Sequence, residues 1–209
     1  MEATWQFIKD LFNPESIAHL GLPFLLFIIF AETGLFFGFF LPGDNLVFIS
    51  GMYCATRPGV LQVNILILII LMSLSAILGN LAGYYFGRRV GEALYKRPDS
   101  FFFKQRHLQT TRVFYDKYGG KALFWGRFLP VIRTFAPILA GVIKVDRKKF
   151  MLFNVAGAFC WIGSICCIGY FLGVKFPSLE NYVGYIFIGL IILTSIPIAV
   201  TWLRGRKRN

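Results

Sequence analysis

An all-α integral membrane protein is the fold class that the sequence predicts. Three features carry the prediction: a strongly apolar composition, apolar runs of membrane-crossing length, and positive charge crowded into a few connecting stretches. Of the 209 residues, 56% are hydrophobic, 18% aromatic and only 15% charged, far from the balance of a soluble globular domain. Residues 20–41, 63–87, 150–173 and 182–203 form apolar runs, and about 20 such residues cross the roughly 30 Å of hydrocarbon in a bilayer. A fifth run, 122–142, is apolar apart from Arg127 and Arg133.

The first segment, residues 1–19, carries Glu2, Lys9, Asp10 and Glu15 and lacks a basic stretch followed by a small-residue cleavage site. It reads as an amphipathic segment with no removable signal peptide. Cys54, Cys160, Cys166 and Cys167 lie in apolar stretches without metal-type spacing, so they read as small hydrophobes, and no metal or cofactor is expected. His19 and His107 are isolated and read as interface or surface residues.

The net charge of +12 reports orientation and contact with anionic lipid in a membrane chain, not nucleic acid. Nine of the 22 Lys and Arg lie between Arg88 and Lys121. Lys144, Arg147, Lys148 and Lys149 form a second group, and Arg204, Arg206, Lys207 and Arg208 close the chain. These seventeen are expected on the cytoplasmic side with the C-terminus, against Lys9, Arg57 and Lys175 on the other.

The chain also echoes itself. Phe40-Leu41-Pro42 recurs as Phe128-Leu129-Pro130, a shift of 88, and Gly83-Tyr84-Tyr85-Phe86-Gly87 is matched by Gly169-Tyr170-Phe171-Leu172-Gly173, a shift of 86. A duplication follows, with halves of about 20–87 and 119–173 in a membrane domain of 20–175. Pro42-Gly43 and the pair Pro130 and Pro137 each interrupt an apolar run, where a straight spanning helix would lose backbone hydrogen bonds that lipid cannot replace. Each interrupted run is read as a re-entrant hairpin entering and leaving on one side. Only the helix of about 63–87 then carries the chain across before the second copy, which is therefore inverted. Transporters recurrently use inverted repeats with broken helices.

A basic amphipathic segment, 88–118, links the halves and mixes cations with Phe101, Phe102, Phe103, Leu108, Phe114, Tyr115 and Tyr118. A helix on the cytoplasmic leaflet and a loop whose aromatics pack on the domain account for it equally well. A last spanning helix and a basic tail occupy 176–209.

Only two of the ten carboxylates, Glu32 and Asp44, fall inside or at the break of an apolar run, and both belong to the first hairpin; Arg127 and Arg133 belong to the second. A charge near the bilayer centre costs about 2.5–3.5 kcal/mol on insertion scales, so four such groups need compensation or a wet cavity. One reading is a pair of structural ion pairs holding the halves together. The other is that the arginines receive an anion, their planar fork suiting phosphate, while a carboxylate takes up and releases a proton. Gly34, Gly38, Gly43, Gly51, Gly126 and Gly141 suit close packing of the hairpins. Asn80 and Asn154 occupy spanning segments and are expected to hydrogen-bond between helices.

Several of these motifs resemble the DedA family, also called SNARE-associated or VTT-domain proteins: Glu32-Thr-Gly, Phe40-Leu-Pro-Gly-Asp44, Gly83-Tyr-Tyr-Phe-Gly-Arg88, and the run from Gly126-Arg127-Phe-Leu-Pro130 through Arg133 and Pro137 to Gly141. The resemblance covers residues 21–173. It implies facing re-entrant hairpins in the bacterial inner membrane, eukaryotic relatives that scramble phospholipids, and bacterial relatives that return undecaprenyl phosphate to the cytoplasmic face, some depending on the proton motive force. The family's important acids match Glu32 and Asp44, its important arginines Arg127 and Arg133. Asn80 stands where many members carry an aspartate, which this chain departs from.

The function expected is a lipid flippase for undecaprenyl phosphate or a related anionic lipid, coupled to protons. Its partners are membrane lipids, a polyprenyl phosphate among them, and protons. The alternative keeps the site and changes the cargo, making the chain a proton-coupled small-cation antiporter with Glu32 and Asp44 as ligands. An enzyme such as a lipid phosphatase is disfavoured: no His lies near either hairpin, no nucleophile is paired with a base and no metal-ligand cluster is dense enough. A structural or chaperone-like role would leave the four charges merely stabilising.

Overall fold

The computed structural model describes residues 21–35, 43–56, 63–95 and 120–182, together with Leu61, Tyr115 and Gly189. Every α-helix or 3₁₀ element among them is helical. The α-helices are α1 (Leu22–Gly34), α2 (Gly43–Thr56), α3 (Ile65–Tyr95), α4 (Gly120–Gly126), α5 (Pro130–Val142) and α6 (Arg147–Lys175), followed by a 3₁₀ turn at Pro177–Tyr182. Among the described residues, only α3, over Ile65–Gly91, and α6 are long and apolar enough to cross a membrane. With 13 or 14 residues each, α1, α2 and α5 reach only about 20 Å at 1.5 Å per residue. The expected break around Pro42, the last spanning helix and nearly all of the 88–118 linker beyond Tyr95 lie outside the described residues.

The two long helices show large apolar side chains outward. Leu66, Ile67, Ile70, Leu74, Leu78 and Phe86 of α3 and Leu152, Phe159, Ile168, Phe171 and Val174 of α6 are exposed. Water would penalise this surface and hydrocarbon would not.

The chain divides into two compact units. One contains residues 42–65 and 165–209 with the first 25 residues. In it α2 lies against the last part of α6 through glycines. A Cβ on Gly51 would run into the Cys166 carbonyl, one on Gly169 into that of Phe48, and one on Gly173 would come within 3.0 Å of that of Met52. Backbones therefore touch directly, the arrangement that small residues permit between helices in lipid.

The other unit contains residues 26–41 and 66–164. Here α3 is the axis, with α1 packed on it where Gly34 meets Gly79, a Cβ on the former falling 2.6 Å from the latter's carbonyl oxygen. Ser75 Oγ donates to the Leu26 carbonyl, and Thr33 Oγ1 donates to that of Ile29 at 2.8 Å. On the same helix Gly87 presses on Ile138 and Gly91 on Val142, while Gly141 of α5 presses on Tyr84. These contacts explain why α3 runs on to Tyr95 and does not stop near Gly87, the expected end of the first half. The glycines that weaken a helix by propensity are the seats of α5 and are held by it.

Two connections fix α5. At its start the turn after α4 is closed by Arg127, Phe128 and Leu129 N–H groups donating to the Phe124, Trp125 and Gly126 carbonyls at 3.2–3.3 Å. Pro130 then occupies the first helical turn, where its missing N–H costs nothing. At its end the Lys144 N–H donates to the Gly141 carbonyl at 3.0 Å and the Val145 N–H to that of Ala140 at 2.9 Å. This Schellman closure puts Lys144 in the left-handed region, φ 57°, where glycine is usual. Asp146 caps α6 by accepting from the Lys149 N–H at 2.9 Å. Tyr84 stacks on Phe150, centroids 4.4 Å apart, and its hydroxyl donates to the Val145 carbonyl at 2.7 Å.

The structure differs from the sequence reading at Pro137, which does not break the segment: it lies inside α5, which continues to Val142. It withholds the N–H that the Arg133 carbonyl would otherwise receive, and it packs towards Gly83 of α3, where even a Cβ would meet it only at 3.7 Å. The break falls at 127–129 alone. In the linker, Tyr115 is buried with the α5 core and donates to the Ala136 carbonyl at 3.0 Å. At this residue the linker packs on the domain. Burial pushes its hydroxyl pKa up, so it stays a donor across the physiological range.

Candidate functional site

Within the second unit, three of the four charges singled out from the sequence converge. Glu32 projects from α1, Arg127 from the turn after α4 and Arg133 from the first turns of α5, and each is no more than 3% exposed. Arg133 Nη2 forms an ion pair with Glu32 Oε1, and its guanidinium carbon sits 4.4 Å from the centroid of the Trp161 ring on α6. Taking two ions out of water costs several kcal/mol each, which the pair recovers only with good geometry and further hydrogen bonds. An aromatic face beneath the guanidinium adds attraction, about 2 kcal/mol where water is excluded.

Arg127 is held differently. Its Nη2 donates to Asn154 Oδ1 on α6, and the amide nitrogen of Asn154 donates to the Ile77 carbonyl of α3 at 3.2 Å. Asn80 Nδ2 donates to the same Asn154 oxygen at 2.9 Å. Turned over, the Asn80 amide donates instead to the Thr33 carbonyl at 3.0 Å and accepts from Arg127, so either orientation joins it to this network. Arg127 crosses α6 at Gly157, where a Cβ would lie 2.8 Å from Arg127 Cδ. Its Nη1 has no hydrogen-bond partner among the described residues.

Asn80, Leu123, Arg127, Arg133, Ala136, Pro137, Phe150 and Asn154 line a small cavity between these elements. It has room for about one water molecule. As folded here, a phosphate group enters only if side chains move. The turn that carries Arg127 turns apolar groups outward, with Trp125, Phe128, Leu129 and Ile132 exposed.

The remaining predicted site residues are placed as follows. Asp44 lies in the first turn of α2, in the other unit. Gly43 begins that helix and Pro42 lies outside the described residues. Gly126 ends α4, Pro130 starts α5, Pro137 is inside it and Gly141 is its contact with Tyr84. No group of three or more His, Cys, Asp or Glu among the described residues is placed to hold a metal. Sequence reasoning paired Asn80 with Asn154 only in kind, and it missed their link to Arg127 and the part of Trp161. A tryptophan or asparagine in an apolar helix is common, and nothing in its neighbours marks the partner it finds in space.

Charge buried inside an otherwise apolar, all-helical fabric with two membrane-length helices among the described residues is consistent with the integral membrane class, and the relatives of the chain are membrane proteins. Comparison with known proteins gives the particular family: the VTT domain profile matches residues 27–171, and the chain belongs to this family, the DedA proteins. It is 34% identical to Protein DedA of Escherichia coli (strain K12) over 201 residues, 95% of this chain and 90% of that one. It is also 35% identical to an uncharacterized membrane protein of Mycobacterium leprae (93% and 86%) and 32% identical to Inner membrane protein YqjA of Escherichia coli (87% and 80%). No solved structure matches.

Proposed function

We propose that this protein is a transporter of the bacterial inner membrane that moves undecaprenyl phosphate, or a closely related anionic lipid, between leaflets in carrier-lipid recycling, coupled to protons. The observation that carries the reading is Arg127: buried at the end of a broken apolar segment, beside a second buried arginine, and without a carboxylate partner among the described residues. A guanidinium in this state suits a phosphate, which supplies charge and paired acceptors together. Arg133 becomes available when Glu32 lets go of it, and a proton taken up by Glu32 removes the charge that holds the pair. Proton uptake at the acid and phosphate arrival at the arginines then favour one another. Asp44, in the first turn of α2, is the second acid of the sequence reading. Two buried arginines around the cavity favour an anion over the small cation of the antiporter reading.

The architecture proposed with it is an inverted duplication with facing re-entrant hairpins, a cytoplasmic C-terminus and no catalytic chemistry. Its support lies inside each unit separately. Phe48, Gly51 and Met52 meet Gly169, Cys166 and Gly173 in one; Ile138, Gly141 and Val142 meet Gly87, Tyr84 and Gly91 in the other. The first three correspond to their counterparts by a constant offset of 90, the second three by 82. The motif echoes, with offsets of 88 and 86, stand a few residues from this packing register.

The test is translocation of labelled undecaprenyl phosphate in proteoliposomes by wild type, Arg133→Gln, Arg127→Gln and Glu32→Gln, with and without a pH gradient. Transport that requires both arginines, and is accelerated by the gradient only when Glu32 is present, is the expected result. Undiminished transport by the double arginine variant defeats the reading.

A further inference from the structure

The two buried arginines are held by different chemistry. A carboxylate balances Arg133, whereas an amide holds Arg127. An amide oxygen orients a guanidinium through one hydrogen bond and leaves its full positive charge in place. Asn154 cannot easily turn away, because its nitrogen donates to the Ile77 carbonyl and so aims its oxygen at Arg127. Asn80 joins the same network in either orientation of its amide. The absent side chain of Gly157 lets the Arg127 stem lie close along α6. The result is a buried cation whose Nη2 is fixed and whose Nη1 has no partner among the described residues, on the wall of the small cavity.

We propose that Asn154, oriented by Ile77, is the positioning residue that holds Arg127 with its charge uncancelled and thereby sets the affinity of the cavity for a phosphate monoester. This rests on the reading of the centre as a phosphate-lipid site. An aspartate at position 154 would keep an acceptor facing Arg127 while supplying the negative charge that the phosphate otherwise brings. A leucine there would keep the volume and remove the acceptor.

The experiment measures binding of dodecyl phosphate and of inorganic phosphate by calorimetry to the purified full-length protein in neutral detergent, alongside the ligand-free Tm of each variant. Wild type should bind dodecyl phosphate. Asn154→Asp should bind it at least tenfold more weakly, out of proportion to any change in Tm, whereas Asn154→Leu should lose affinity and Tm together. Asn154→Asp binding as tightly as wild type overturns the proposal. If that variant does not fold, Asn154→Ser, which keeps a neutral acceptor on a stem too short to reach the guanidinium, decides in its place: it should weaken dodecyl phosphate binding at least tenfold, and binding as tight as wild type overturns the proposal. Tighter binding of dodecyl than of inorganic phosphate assigns the lipid headgroup as the source; equal binding that still falls tenfold in the aspartate variant keeps the positioning role and assigns the free anion. Wild type that binds neither probe overturns the phosphate reading itself, an outcome distinct from intact binding in the variants.

Discussion

The ion pair between Glu32 and Arg133 sets a test that separates holding from working. Removing one partner of a buried pair leaves a bare charge and costs about 3–5 kcal/mol, while replacing both by apolar groups of similar volume is often neutral. Glu32→Leu and Arg133→Met should each lower the Tm in detergent, and the double variant should recover most of that loss. If the pair is only a brace, the double variant also recovers lipid translocation; on the transport reading it is stable and inactive. The residues of this pair were legible because charge in an apolar run is costly and must have a reason. Asn80, Asn154 and Trp161 were less so. Their burial costs little once paired, and the pairing is a matter of three-dimensional register that spacing along the chain does not encode.

Among the elements, the glycine contacts carry the packing. A Cβ on Gly141 would drive into the Tyr84 carbonyl, backbone against backbone, with no flexible side chain to yield. Overpacking of this kind costs about 1–3 kcal/mol, so Gly141→Ala should lower the Tm measurably, and Gly51→Ala, which meets the Cys166 carbonyl in the same way, should cost a similar amount. Lys144 offers the opposite sign. An L residue in the left-handed region costs about 1–2 kcal/mol relative to its usual conformations, so Lys144→Gly should raise the Tm and Lys144→Val lower it. The sequence indicated the interruption between α4 and α5, which ends at Pro130, whereas Pro137, read with it as an interruption, lies inside α5. A proline interior to a helix removes one hydrogen bond and crowds the carbonyl four residues back; α5 nevertheless runs on past Pro137 to Val142, where Gly141 and Val142 pack on α3.

For the whole molecule, the distribution of positive charge and the length of α6 make a joint claim about orientation. Arg147 and Lys175 are the two ends of a single 29-residue helix, long enough at about 1.5 Å per residue to cross the hydrocarbon. Arg147 stands with Lys144, Lys148 and Lys149, all exposed. By the rule that short basic connections remain cytoplasmic, the expectation is that this end lies inside and Lys175 outside. In a background lacking the four native cysteines, Lys175→Cys should react with a membrane-impermeant maleimide in intact spheroplasts, and Arg147→Cys only after lysis. Reaction of both in intact cells would mean that α6 does not span, and its correspondence with α3, the crossing that inverts the second copy, would fail with it. Reaction of Arg147→Cys alone would keep the span and reverse the orientation, placing the basic group on the outer face. That outcome would leave the arginine centre intact but exchange the sides from which lipid and proton reach it, so orientation has to be fixed before a direction of transport is assigned.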